Sequence, residues 1–211
     1  MFSKIKRKFK SEEFKIKFFT LIILISLTIF LILSIFLKSK EFIYYIIILL
    51  AAVIISYLVH KKLHLHLAIL TLIWVAFILH ALGGTVYFGA NRLYDMVFLG
   101  FIKYDNIVHF FMSFIVVFMA YNLIHPRFKT NKKHTKFWLG FFIILITAGV
   151  GTIAEMIELI AVIFFDAAKG VGGYMNNAID LVVNFIGAIV GAIIILKYHN
   201  KKFLKKTLLK P

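Results

Sequence analysis

The chain has 211 residues, 62% of them hydrophobic and 16% charged, with a mean hydropathy of +0.96. A soluble globular domain is closer to half apolar and a quarter charged, so this composition excludes one. The formal charge is +16, but the basic residues fall in short runs between long apolar stretches, which argues against nucleic acid as a partner. Cysteine is absent, which excludes disulfides, thiolate metal sites and cysteine nucleophiles.

In chain order, six stretches approach the ~20 apolar residues needed to cross a bilayer core. They are Phe18 to Leu37, Phe42 to Val59, Leu67 to Phe88, Ile107 to Ile124, Phe137 to Phe165 and Asn177 to Leu196. The fifth is overlong, so it should tilt or begin later than Phe137. The runs are continuously apolar, without the alternation of barrel strands. The first is too long for a cleaved signal and lacks a small-residue exit, so it is read as a retained helix. The predicted fold class is an all-α, polytopic integral membrane protein with six transmembrane helices.

Lys and Arg set the expected orientation. Twenty of the 25 lie in the N-terminal arm, the second and fourth loops and the C-terminal tail, and five lie in the other three loops. By the positive-inside rule both termini are cytoplasmic (N-in/C-in), and the expected location is the plasma (inner) membrane. The basic arm KIKRKFK serves orientation and attraction to anionic lipid. No internal repeat with matching interruptions supports an inverted-repeat transporter. The chain divides into a basic arm (1–17), a peripheral two-helix hairpin (18–66) whose apolar spans hold only Ser, Thr and Tyr as polar residues, a four-helix bundle (67–196) with the ionisable groups of the polar site, and a basic tail (197–211).

Six acidic residues (Asp95, Asp105, Glu155, Glu158, Asp166 and Asp180) fall in outer loops or the outer parts of helices under this topology. A 1.5 Å rise per residue places Glu155 about 27 Å above Phe137, and Asp180 about 5 Å, His109 about 3 Å and His80 about 10 Å inside the outer boundary. Facing agrees with depth. Ala148, Gly151, Glu155 and Glu158 share one stripe, as do Asn176, Asp180, Asn184, Gly187 and Gly191, while Asp105, His109 and Ser113 line the fourth helix. The small residues suggest close helix packing below a polar pocket.

Ionisable groups inside a membrane bundle are costly, which makes them candidates for function. The cations expected nearby are Arg92, Lys103 and Lys169 in outer loops. Several carboxylates cannot all stay ionised in a dry site, so they must share protons, bind a metal or await a ligand. Carboxylates with one imidazole suit a divalent metal, and a water-filled, hydrogen-bonded site without metal is the alternative. The Glu-x-x-His of di-iron bundles is absent, since Glu155-Met156-Ile157-Glu158 stands instead. His80 reads as a packed, hydrogen-bonded histidine. His60, His64 and His66 read as markers of the cytoplasmic interface rather than a metal tract.

Tyr104-Asp105-Asn106-Ile107-Val108-His109-Phe110 resembles the Asp-x-x-x-His-Phe opening of VanZ-like membrane proteins. Glu155-Met156-Ile157-Glu158 falls where that family carries Glu-x-x-Gln, and Asp180 to Gly191 is similar to its closing Asp-x-x-x-Asn-x-x-Gly-x-x-x-Gly. The second Glu, the longer chain and the extra N-terminal helices look closer to the YjdF-type inner-membrane proteins, which often carry Asp where this chain has Asn176. The resemblance covers about Arg92 to Leu196. It implies a link to the cell envelope through glycopeptide (teicoplanin) resistance, and it carries over no established catalytic residues.

Three functions follow as expectations. The first is an enzyme or binding protein acting on a lipid-linked or envelope headgroup at the outer leaflet. There His109 would be general acid or base, or a metal ligand, oriented by Asp105. Glu155, Glu158 and Asp180 would hold a metal, a water or a sugar hydroxyl, with Asn184, Asn176 and His80 supporting them, and Arg92 or Lys103 would meet phosphate. The second is a proton- or cation-coupled transporter using the same acids as a relay. The third is a structural or assembly factor whose polar cluster locks the bundle. The expected partners are membrane lipid and a lipid-linked or envelope substrate; the oligomeric state is left open.

Overall fold

The computed structural model describes residues 2–63, 65–128, 133–165 and 167–198, with side chains described for 12–61, 65–128, 135–165, 167–168 and 171–198. The chain forms α1 (Phe2–Phe36), α2 (Lys40–Leu63), α3 (Leu67–Thr85), two small hairpins, α4 (Tyr104–Ile124), α5 (Lys133–Phe165), the short α6 (Ala168–Val171) and α7 (Tyr174–Tyr198). Six of these helices carry stretches of 19 to 31 residues long and apolar enough to cross a membrane. They correspond to the six predicted spans, so the expected fold class is correct.

A helix suits this composition because it satisfies every backbone polar group within the segment, which a lipid surround demands. The hydroxyls follow the same logic. Thr20, Ser26, Thr28, Ser34, Thr71 and Thr85 each donate to the carbonyl four residues back, so polar side chains in apolar helices need no distant partner.

The ends differ from the hydropathy limits wherever local bonds outweigh apolarity. α3 stops at Thr85 rather than Phe88, because Val86 turns extended (φ −94°, ψ 132°) and Tyr87–Phe88 becomes a strand. α4 begins at Tyr104 rather than Ile107, since the Asn106 side chain accepts the Lys103 backbone N–H at 3.0 Å and caps the helix. α7 begins at Tyr174 rather than Asn177, where the Asn176 and Asn177 backbone N–H groups bond to Gly173. α5 begins at Lys133, not later than Phe137, and α1 runs back to Phe2, because helix continues through residues too polar for a hydropathy window.

The long helices alternate in direction. One end of the bundle, the site end, carries the connecting residues 37–39, 86–103 and 167–173; the other, the terminal end, carries 65–66, 125–128 and the described chain ends at Phe2 and Tyr198. In the long connection β1 (Tyr87–Phe88) pairs with β2 (Asn91–Arg92), and β3 (Val97–Phe98) pairs with β4 (Ile102–Lys103). Gly89 takes φ +64° in the first turn, as a two-residue hairpin requires, and Leu99 and Gly100 take +52° and +80° in the second.

α4 is the centre of the bundle, packed by α3, α5 and α7, with α1 against α2 and α3. Its closest neighbour is α7. A Cβ on Gly187 would lie 2.6 Å from the Phe110 carbonyl oxygen, and one on Gly191 would lie 3.0 Å from Val117. Trp74, Leu70, Ile115, Ile143 and Ile195 fill the core, while Leu21, Ile54, Leu145 and Val182 face outward, as a bundle surrounded by lipid tails allows. At the site end Phe42 and Tyr94 pack their rings over Gly84 and Gly83, where a Cβ would lie 1.8 and 1.9 Å from them.

A methyl at position 187 should therefore force α4 and α7 apart. Alanine gains about 1 kcal/mol of helix propensity over glycine, and overpacking costs about 1–3 kcal/mol. Gly187→Ala is expected to lower the thermal midpoint in detergent, whereas Gly149→Ala, with nothing within 4 Å, should leave it level or higher. A Gly187→Ala midpoint at or above wild type would contradict the close contact.

Candidate functional site

Three helices deliver a polar cluster to the site end. α4 presents Asp105, Asn106, His109 and Ser113, α5 presents Glu155 and Glu158, and α7 presents Asn176, Asp180 and Asn184. All are buried apart from the half-buried Asn176, and Asp180 has no exposed surface at all. The side chains named from the spacing of these three helices do converge.

Amides tie the carboxylates together. Asn106 donates to Asp180 Oδ1 at 2.8 Å. The Asn176 amide lies 2.8 Å from Asp180 Oδ2 and 3.3 Å from Asp105 Oδ2. Lys103 Nζ donates to the oxygen of that same Asn176 amide at 2.6 Å. The ammonium thus reaches the two aspartates through an amide it polarises, which strengthens the amide's own donation. On the inner side Ser113 donates to Asn184 Oδ1 at 2.8 Å, and Asn184 Nδ2 points to Glu155 Oε1 at 3.4 Å and His109 Nδ1 at 3.2 Å.

The imidazole of His109 sits among three acids. Its Nε2 lies 3.3 Å from Asp105 Oδ1 and 3.6 Å from Glu158 Oε1, and its Nδ1 lies 3.5 Å from Glu155 Oε1. Two cluster oxygens, Asp105 Oδ1 and Glu155 Oε2, are buried without a completed hydrogen bond, as are the Tyr45 and Thr147 hydroxyls. Buried polar atoms are nearly always paired in folded proteins, so the two orphaned oxygens within the cluster mark a place for a further group.

Beside the cluster lies a cavity of about 280 Å³ between α2, α3, α4, α5 and α7. His109, Glu158, Asn184, Ser113, His80 and Tyr45 form its polar part, and the rest of the wall is apolar. The division by ionisable groups left α2 outside the bundle of interest, yet its turns nearer the site end supply Tyr45, Ile48, Leu49 and Ala52 to this wall. His80 is hydrogen-bonded to the Tyr94 hydroxyl and boxed by the rings of Phe42 and Tyr45. It is a packed histidine that also touches the cavity.

Arg92 stands apart from the cluster, in a second, open hollow of about 510 Å³ with Lys38, Lys40, Glu41 and Asp95. Its guanidinium pairs with Asp95 at 2.9 Å and Glu41 at 3.2 Å. Burial works against its charge, but the Asp95 bond and the Glu41 charge outweigh this and hold the guanidinium above its ordinary pKa. His60 Nδ1 lies 2.8 Å from the Leu65 carbonyl, and His66 Nδ1 caps α3 by accepting from Ala68; both hold the α2–α3 turn. His64, Asp166 and the Lys169 side chain lie outside the described residues.

Asp105, His109 and Asp180 each offer one ligand atom, all within 4.8 Å of one another. Two carboxylates and an imidazole suit a divalent ion, and ligand distances of ~2.0–2.2 Å would require modest closing of the three. The unbonded Asp105 oxygen fits such a role. Asp180 fits less simply, since both its oxygens already accept amide N–H groups and only their second lone pairs remain.

Asn106 and Tyr45 escaped the sequence reading. Asn106 lies inside the Asp105-to-His109 segment and looked like a spacer off the Asp105–His109 stripe; its capping position was the available signal. Tyr45 sits in a helix whose polar residues looked ordinary.

Six apolar helices enclosing a buried acid, amide and imidazole cluster define a multi-pass α-helical membrane protein. Residues 19–201 match the family described as "Predicted membrane protein (DUF2238)", and the chain belongs to that family. No curated protein and no solved structure matches it.

Asn176 is the connector with the most partners. Asn176→Leu would strip a donor from each aspartate and the acceptor from Lys103, at about 1–3 kcal/mol for each buried group left unpaired. Its thermal midpoint in detergent should fall well below that of Asn177→Leu, one position away. Equal midpoints would remove Asn176 from the network.

Proposed function

We propose that the cluster binds the polar headgroup of a lipid-linked or envelope compound and that His109 transfers a proton to or from it. The observation that carries this reading is the opening of a buried, incompletely bonded acid and imidazole cluster onto an apolar cavity. A polar group entering from the cavity would meet His109, Glu158 and Asn184 together. The imidazole has an acidic neighbour at each ring nitrogen, so a proton taken at one edge can be balanced by one released at the other. Asp105 fixes the ring from one turn away. Lys103, at the edge of the cluster through Asn176, supplies positive charge for a phosphate. The resemblance to VanZ-like proteins supports an envelope substrate.

The same reading places the protein in the plasma membrane with both termini cytoplasmic and the site end outside, supported by the concentration of Lys and Arg at the terminal end. A relay across the membrane finds less support. No Asp, Glu, His, Lys or Arg stands on α4 between His109 and His125, on α5 between Lys136 and Glu155, or on α7 between Asp180 and Lys197.

Native mass spectrometry of protein purified in mild detergent tests the headgroup reading. Wild type should retain a lipid-class ligand, and His109→Gln and Glu158→Gln should lose it by about tenfold, a difference of about 1.4 kcal/mol. Equal retention in all three would overturn it. Metal analysis of the same samples separates a metal-filled site from a hydrogen-bonded one: a stoichiometric ion lost in Asp180→Ala identifies the former.

Orientation can be read independently because the chain has no cysteine. Leu99→Cys, at the 83%-exposed hairpin tip, should react with a membrane-impermeant maleimide on intact cells. Arg127→Cys should react only after permeabilisation. The reverse pattern would invert the topology.

A further inference from the structure

We propose that the apolar cavity below the cluster holds a hydrocarbon chain, which enters sideways from the bilayer between α2 and α5. The proposal rests on the headgroup reading for what the chain is attached to, but on separate observations for the chain itself.

The first observation is shape. The wall descends from Tyr45 to Ala52 on α2 and from His109 to Val116 on α4, about 10 Å along each axis. The polar residues gather toward the site end, with Ser113 and Asn184 the deepest at about 6 Å below His109, and Ile48, Leu49, Ala52, Met112, Val116 and Val150 line the rest. At about 280 Å³ the space is near the lower limit of ligand pockets, ~300–1,000 Å³. Its wall is apolar away from the polar groups.

The second is the way in. At the site end α2 and α5 are bridged by the stacked rings of Tyr44 and Phe165, with centroids 4.6 Å apart. That stack stands between the gap and the open polar hollow, whose wall includes Phe165. On α5 the cavity wall includes Val150 and Ile153, which are also 38% and 58% exposed. The opening therefore faces where lipid tails lie.

The third is an unpaired group. Tyr45 is 5% exposed and lines the cavity, and its hydroxyl has no hydrogen-bond partner. It stands at the boundary between the polar and apolar parts, where the ester, ether or phosphate oxygen linking a chain to its headgroup would lie. A lipid tail moving from bilayer to cavity exchanges one apolar surround for another, so burial alone selects nothing. Selection then rests on Tyr45 and the cluster, and the cavity serves to admit the chain that brings the headgroup to His109.

The test uses the full chain in nanodiscs containing a phospholipid with a photoactivatable diazirine in one acyl chain, with adduct sites mapped by peptide mass spectrometry. Wild type should be labelled at the enclosed wall, Ala52, Met112 and Val116, and Ala154→Phe or Ala52→Phe, which fill the cavity, should reduce labelling of the remaining wall residues at least fivefold. Two fillers from opposite helices guard against one that fails to fold. Label confined to outward residues such as Met156 and Leu159, and unchanged by the fillers, overturns the chain proposal and leaves the headgroup reading to its own measurement. Wall labelling that persists in His109→Gln, with no change in the lipid retained, supports the chain and rejects the headgroup.

Discussion

Carboxylate oxygens placed inside a helical bundle need donors, and a bundle made of Leu, Ile, Phe and Val offers almost none. In this protein the donors are three asparagine side chains, one imidazole and one lysine acting at second hand. Asn106 and Asn176 hold Asp180 from either side, Asn184 reaches toward Glu155 and His109, and Lys103 acts through Asn176. The helix positions follow from this need. α4 and α7 must come close enough for amides to span them, and Gly187 and Gly191 permit that by leaving room beside the Phe110 carbonyl and Val117. Gly151 performs the same service between α5 and Asn184, where a Cβ would lie 3.1 Å from the amide nitrogen.

The glycines and the cavity are two sides of one packing solution. Where small residues bring α4 against α7, the bundle is tight; on the flank of α4 toward α2 and α5, the small side chains of Ala52 and Ala154 do not fill the space between the helices and it stays open. Aromatic rings close the site end of this flank, with Phe42 over Gly84, Tyr94 over Gly83 and Tyr44 against Phe165. The protein thus packs one side of its polar cluster with amides and leaves the other side facing hydrocarbon.

Much of this was legible in the residue order. Continuous apolar runs defined the six helices, and the spacings of Asp105 with His109, Glu155 with Glu158, and Asn176 with Asp180 and Asn184 placed three polar stripes at one level. What escaped depended on volume or on local bonding. A cavity is an absence of atoms between helices distant in sequence, and no periodicity encodes it. The hairpins have strands of two residues each, too short to show alternation. Asn106 was hidden because it serves α4's cap and α7's aspartate at once. Arg92 was grouped with the cluster on loop position alone, whereas Glu41, fifty-one residues away, and Asp95 hold it in a separate hollow.

The choice of asparagine as the binding element has a consequence for how the site responds to protons. An amide keeps its donors and its neutral charge across the whole physiological pH range, because it neither gains nor loses a proton there. Asn106 and Asn176 therefore donate to Asp180 whatever charge the neighbouring groups carry. The frame itself does not depend on pH. A site built this way can change its charge without changing its shape.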